Sequence, residues 1–558
     1  MATLFSRPIP ATTNQPVTEG EVVTSSDPLT PHIRGFLHGL SQSYTHTPST
    51  AEGTIRVSEV FGVIALVYEK IRGAIDYKRE HLIRRNAIER ILKRLLWERQ
   101  GRDLPTTSHL LLRELIWAHY LPNDHVSKNS IQVISKIIQK YLDVINLLGG
   151  WNSVSSEHRG WLLGVCSCDI EEELDGSKRE LYVELMYSWF KTHFSWEGTH
   201  LTEQEKDLQL YLAIHRALPK SDEAIMRYHL LIKEFPQWID PSQNDVLKIS
   251  QNFSKLHAAV ERHLVHPIHL PLFRYVKKYA APFEILREVV GATGRDFPLF
   301  VGNPSDLELK IREVCQVRYA QIRAKVNIGI IRSIIYIFVT KVLIALAVEV
   351  PYELFVYGHL VLIPISINII LPPALMFLLG LTIKTPNERN TLRLIERISS
   401  LVYHSHQTSR LPFHLNQQSN RTLLTSVFSL MYLFLFFITF GGISYVLYQI
   451  GFSYVSGIIF FVFLSLVLLF GYRVRATATE LSVTGDRDNI FSYILSNLSL
   501  PFLNLGVILS KTVSKLNVFI IIMDFLIEAP LKTIIEVIEE WTTFVRQKRE
   551  EVIDIPPE

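Results

Sequence analysis

NIGIIRSIIYIFVTKVLIALAV, residues Asn327–Val348, decides the fold of this chain. A run of about 20 mainly apolar residues in helical form crosses the roughly 30 Å hydrocarbon core of a bilayer. Comparable runs follow at Tyr357–Gly380, Leu423–Gln449 and Phe452–Tyr472, and the last two carry no charged residue. Helices satisfy their own backbone groups, which an irregular apolar stretch in lipid does not. Helices buried in a soluble core keep a polar stripe. LFLFFITFGGISYVLY (Leu433–Tyr448) and IIFFVFLSLVLLF (Ile458–Phe470) have none.

The charges around these runs are asymmetric. The connection Leu381–Thr422 carries Lys384, Arg389, Arg393, Arg397, Arg410 and Arg421, and Arg473 and Arg475 follow the last run. Between the first two runs stand Glu349 and Glu353, with no lysine or arginine. Basic residues collect on the cytoplasmic side of a membrane, so both termini are expected there. Arg318, Arg323 and Lys325, just ahead of the first run, are expected to meet anionic inner-leaflet headgroups. Tyr352, Phe355 and Tyr357 sit where an outer aromatic belt would lie.

The expected fold is all-α: a polytopic membrane protein with four transmembrane helices, a large N-terminal helical cytoplasmic domain and C-terminal interfacial amphipathic helices. Residues 1–53 are rich in Ser, Thr and Pro and are expected to be a disordered tail. Residues 54–325 read as the helical domain, with two lobes parting near Gly149–Gly160. Residues 326–475 read as the membrane domain, and 476–558 as helices at the inner surface. In that last part, apolar pieces at Pro501–Leu509 and Leu516–Ile527 are each too short to span. One span through both would put Arg546, Lys548 and Arg549 outside. Leu531–Glu551 carries a regular face of Ile534, Ile538, Trp541 and Val545, suited to docking on protein, on membrane or on a second copy.

With 558 residues and a net charge of +3, no global affinity for nucleic acid is expected. Lys78–Arg102 holds nine Lys/Arg against three Glu. It reads as a solvated helix face, with lipid headgroups and then nucleic acid as the other readings. Cys166 and Cys168 form a lone close pair, read as structural.

No phosphate loop, dinucleotide fingerprint, HExxH or GxSxG occurs, and no cofactor is expected. Two histidine groups offer imidazole for a metal: His263, His266 and His269, and His404, His406 and His414 in the basic connection. Lys341 is the sharpest single residue, an ammonium deep in an apolar run. Glu349, Glu353, His359 and Asn368 are its candidate partners, at a site on a transport path or at a structural tie between helices. The expected function is a membrane-anchored cytoplasmic scaffold or interaction protein, bound to the bilayer and, through its helical faces, to a partner or a second copy. A small transporter or channel-like oligomer using Lys341 and the glutamates is the alternative, and a lipid-modifying enzyme comes third.

Overall fold

In the structure, a computed structural model, residues 28–45, 53–57, 80–97, 103–175, 178–198, 201–403, 411–414, 422–483, 490–515, 541, 544 and 545 are described. They are overwhelmingly helical and fall into two compact units.

The first unit comprises the described parts of Met1–Phe194, His200–Lys277 and Val518–Glu558. Its helices are α1 (Pro31–Thr45), α2 (Glu80–Trp97), α3 (Leu104–Trp117), α4 (Asn129–Leu147), α5 (Ser156–Asp175), α6 (Lys178–His193), α7 (Glu203–Ala217), α8 (Glu223–Glu234), α9 (Gln243–Gln251), α10 (Phe253–Leu264) and α11 (His269–Lys277). Ile134, Ile138, Tyr141 and Ile145 recur at helical spacing along α4 and meet Ile88, Leu92, Leu111 and Leu115 in one core. That core also includes Trp161, Leu212 and Val260, so it runs on both sides of Gly149–Gly160 rather than parting there. Gly149 and Gly150, both at positive φ, are the turn that stops α4.

Two expectations for this unit are corrected. The tail reading of residues 1–53 fails at α1, which follows Thr30 with Pro31 in its first turn. Ile33, Phe36 and Leu40 are buried on one face, and Phe36 packs on Tyr182. Averaging composition over the whole segment hides that stripe. The basic stretch is also not a solvated face at α2. Arg84 grips Glu171 through two hydrogen bonds of 2.7 and 2.9 Å. Arg85 is buried against Glu89 and Asp222, and Arg94 pairs with Glu114. These guanidiniums are spent on internal carboxylates.

The second unit comprises Ser195–Thr199 and Lys278–Asn517. Here β1 (Phe194–Glu197) pairs with β2 (Leu411–His414) in a two-stranded sheet, with Trp196 edge-on to Phe413. Helices α12 (Ala280–Thr293) and α13 (Phe297–Gly302) lead into α14 (Pro304–Ile344). A π-turn, Ala345–Glu349, carries α14 directly into α15 (Val350–Tyr357). Then come α16 (Leu362–Thr382), α17 (Glu388–Val402), α18 (Thr422–Gln449), α19 (Tyr454–Ala478) and α20 (Ile490–Lys515).

Among the described residues, four helices are long and apolar enough to cross a membrane: Pro304–Tyr357, Leu362–Thr382, Ser426–Gln449 and Tyr454–Ala478. The first is 54 residues long, about 80 Å at 1.5 Å per residue, far more than a bilayer core requires. Its leading half is amphipathic, burying Leu307, Ile311, Val314, Tyr319 and Ile322. The connection before α18 is not a plain loop either. Within it α17 buries Leu394, Ile398, Leu401 and Val402, and Arg312 of α14 pairs with Glu388. Asn390 of α17 donates to Leu481 O at 2.9 Å and accepts from Val483 N at 2.8 Å, clamping the chain where it leaves α19.

Three of the spans, α14, α16 and α19, touch through a small apolar core of Ile337, Met376, Phe463 and Val467. A Cβ on Gly380 would lie 2.9 Å from Ile330, and one on Gly471 3.2 Å from Leu379, so small residues set how closely these helices approach. The expectation of a surface-lying helix at Pro501–Leu509 is corrected by α20. Phe502 stacks on Phe461 and packs at a tilt on Phe440, Gly506 sits against Ser465 O and Leu469, and Ser510 accepts from Arg473 at 3.1 Å. Along Phe502–Ser510 the helix therefore runs in the same direction as α19 and lies against its middle. Interhelical fit, rather than the length of the apolar run, decides this placement. The Leu516–Ile527 piece and most of Leu531–Glu551 lie outside the described residues.

Candidate functional site

The polar cluster among the apolar helices is built on α14, the π-turn, α16 and α19. On a regular α-helix two residues eight apart differ by about 80° around the axis. A π-turn bonds over five residues instead of four and adds roughly one residue to the turn. That addition swings Glu349 back onto the face of Lys341, whose Nζ pairs with Glu349 Oε1. From α16, Asn368 Nδ2 lies 2.9 and 3.0 Å from the two Glu349 oxygens and 3.2 Å from Ser456 O on α19. The ring of Phe463 stands 5.0 Å from the ammonium. Lys341, Glu349, Asn368 and Ser456 are each 0% exposed. The charges are thus matched to each other and closed off from solvent, which is how a low-dielectric interior tolerates them.

The other intramembrane candidates stay apart from this cluster. Glu353 is buried but accepts from Val361 N at 3.0 Å, holding the turn between α15 and α16. His359 is exposed, with Nδ1 2.9 Å from Tyr357 O.

Of the basic residues ahead of the spans, Arg318 is tied to Glu288 at 3.1 Å, whereas Arg323 and Lys325 are exposed. His414 lies on β2 and pairs with Glu197 at 2.9 Å, both well exposed; His404 and His406 lie outside the described residues. His263, His266 and His269 do not converge as a ligand group: His269 Nδ1 is 2.6 Å from His266 O, and Gln209 donates to His263 O at 3.0 Å. Cys166 and Cys168 are free and buried, and burial pushes both thiols well above their ordinary range.

Among the described residues, one His/Glu cluster has metal-binding spacing, and it was not anticipated. Glu180 of α6, His215 of α7 and His229 of α8 bring a ligand atom each within 4.8 Å of one another. Helix α7 is fixed by a capping box of Thr202 and Glu205, and α8 by Asp222. Glu180 Oε2 is 3.5 Å from His215 Nε2 and 3.7 Å from His229 Nε2. Tyr211 donates to Glu180 Oε1 at 2.7 Å, and Ser221 Oγ is 3.2 Å from His215 Nδ1. Burial favours the neutral form of Glu180, but His229, His215 and the hydrogen bond from Tyr211 outweigh it and hold the carboxyl below its ordinary range. These residues are 35 and 14 positions apart in sequence, so no local spacing signals them.

Comparison with protein-family models, curated proteins and solved structures gave no match to this chain.

Proposed function

We propose that the chain is a membrane-anchored scaffold or interaction protein, a helical module held at the cytoplasmic face of a membrane by four spanning helices. Closure of the Lys341–Glu349–Asn368 cluster is the observation that carries this reading. A charged residue on a transport path needs water or an unfilled partner at its head group. Here the ammonium and the carboxylate are fully buried against each other and the amide nitrogen bridges them to α19, with Asn368 Oδ1 left as a buried acceptor without a hydrogen-bond partner, an arrangement suited to tying α14, α16 and α19 together. The outward apolar side chains of α18, among them Phe428, Phe434 and Phe437 at 62–66% exposure, are matched by lipid tails.

Both ends are assigned to the cytoplasm. The basic residues support this side, with exposed Arg323 and Lys325 placed to meet anionic headgroups. The direction of α20 is compatible with it, since Ser510 returns to the Arg473 end of α19. The helical module then presents its outer faces to a protein partner.

Reconstitution of the full chain into phosphatidylcholine–phosphatidylglycerol vesicles, followed by potassium, sodium and proton flux, tests the reading. Flux no greater than in empty vesicles is expected. Flux carried by the wild type and lost in Lys341→Ala would replace the scaffold by the transporter reading. Protease protection of tags at either end, in sealed vesicles of known orientation, checks the sidedness.

A further inference from the structure

We propose that Glu180, His215 and His229 form a binding site for a divalent transition-metal ion, with zinc the best fit. The inference is independent of the membrane topology and concerns the first unit alone.

Donor chemistry comes first. Two imidazoles and one carboxylate suit zinc and related first-row ions, whereas magnesium and calcium prefer oxygen. Spacing comes second. Zinc bonds of about 2.0–2.2 Å in tetrahedral array place neighbouring ligand atoms about 3.3–3.5 Å apart. Glu180 Oε2 already stands 3.5 and 3.7 Å from the two Nε2 atoms. The remaining pair, His215 and His229, has its ligand atoms within 4.8 Å, so an ion at the centre would draw the two rings together.

The surroundings are those of a built site. His215 is 2% exposed, and its Nε2 is buried without a hydrogen-bond partner, directed at the carboxylate. Its other ring nitrogen faces Ser221 Oγ, a contact that fixes the ring and leaves Nε2 for the ion. Tyr211 occupies Glu180 Oε1 and so presents Oε2 as a single ligand atom. The imidazoles of His215 and His229 pack with centroids 4.5 Å apart, and each ligand comes from a different helix. Such an ion would pin α6, α7 and α8 together. Glu180 keeps 30% of its side-chain surface exposed, so solvent reaches the ligand set on its carboxylate side.

The test uses the full-length protein in detergent with its affinity tag removed, stripped by chelator and titrated with zinc against a chromophoric competitor. One saturable zinc per chain is expected, lost in Glu180→Gln and in His229→Gln and retained in His263→Gln and His406→Gln. Absence of saturable binding by folded wild type overturns the proposal. So does binding that survives in both ligand variants, or that disappears with His263 or His406 instead. Should a ligand variant lose its wild-type elution profile, cobalt added to the wild type decides: visible bands of a four-coordinate nitrogen–oxygen site uphold the assignment, and a spectrum of free aqueous cobalt rejects it.

Discussion

Two of the clusters centred on a glutamate, one fully buried at Glu349 and one half-buried at Glu180, differ in what their partners leave over. Glu349 faces Lys341 and Asn368, groups that bring hydrogen-bond donors to it, and the amide reaches both of its oxygens. Glu180 faces His215 and His229, whose ring nitrogens can serve as donors or as lone pairs. The first cluster is a neutral tie of opposite charges that leaves over only the amide oxygen of Asn368. The second has the valence of a ligand set. Burial of a carboxylate says little about its role; the nature of the groups that meet it says more.

The comparison breaks first at Glu349. Glu349→Leu leaves an ammonium buried without its counter-charge, and loss of one partner of a buried pair costs about 3–5 kcal/mol. The expected result is a steep fall in thermal stability in detergent, followed by size-exclusion chromatography after heating. Adding Lys341→Met should recover most of that loss; no recovery would show that the pair is more than a tie. Asn368→Leu should cost less, about 1.5–3 kcal/mol for hydrogen bonds to a charged group, by the same assay. In the other cluster, Ser221→Ala is expected to weaken zinc binding about 10–100-fold without changing helix content, the usual size of an outer-contact effect. Competition titration with circular dichroism reads both. Smallest is His414→Ala, whose pairing with Glu197 is largely exposed and contributes about 1 kcal/mol or less. A thermal shift comparable with that of Asn368→Leu would mean that exposure has been misjudged as the controlling difference.

The four apolar helices were legible because hydropathy over a span is a sum, insensitive to the fate of any one residue. Lys341 and Glu349 were legible as opposite charges inside or beside such a span. The π-turn that joins them was not, since Ala345–Glu349 carries no local signal for it. Helix α17 was hidden by its charges: Arg389, Arg393 and Arg397 marked a side of the membrane, while Leu394 and Ile398 between them marked a packed face. The same oversight placed Arg84, Arg85 and Arg94 on a solvated surface, although their carboxylate partners on α3, α5 and near α8 are remote in sequence. The zinc-type ligands were the least legible. Sequence inspection favoured histidines close together, and the convergent ones come from separate helices.

The π-turn also constrains how the gene for this chain can vary in length. Deleting any single residue from Ala345–Val348 would return the helix to regular winding, a locally favourable change. It would leave Glu349 seven residues from Lys341, about 20° from its face, so the pair and all that follows would keep their facing. Lengthening by one residue with the π-turn kept would instead turn Glu349 by about 100° away from Lys341. The interval between those two positions is therefore expected to tolerate exchanges of apolar side chains and the loss of one residue, while resisting a single-codon insertion.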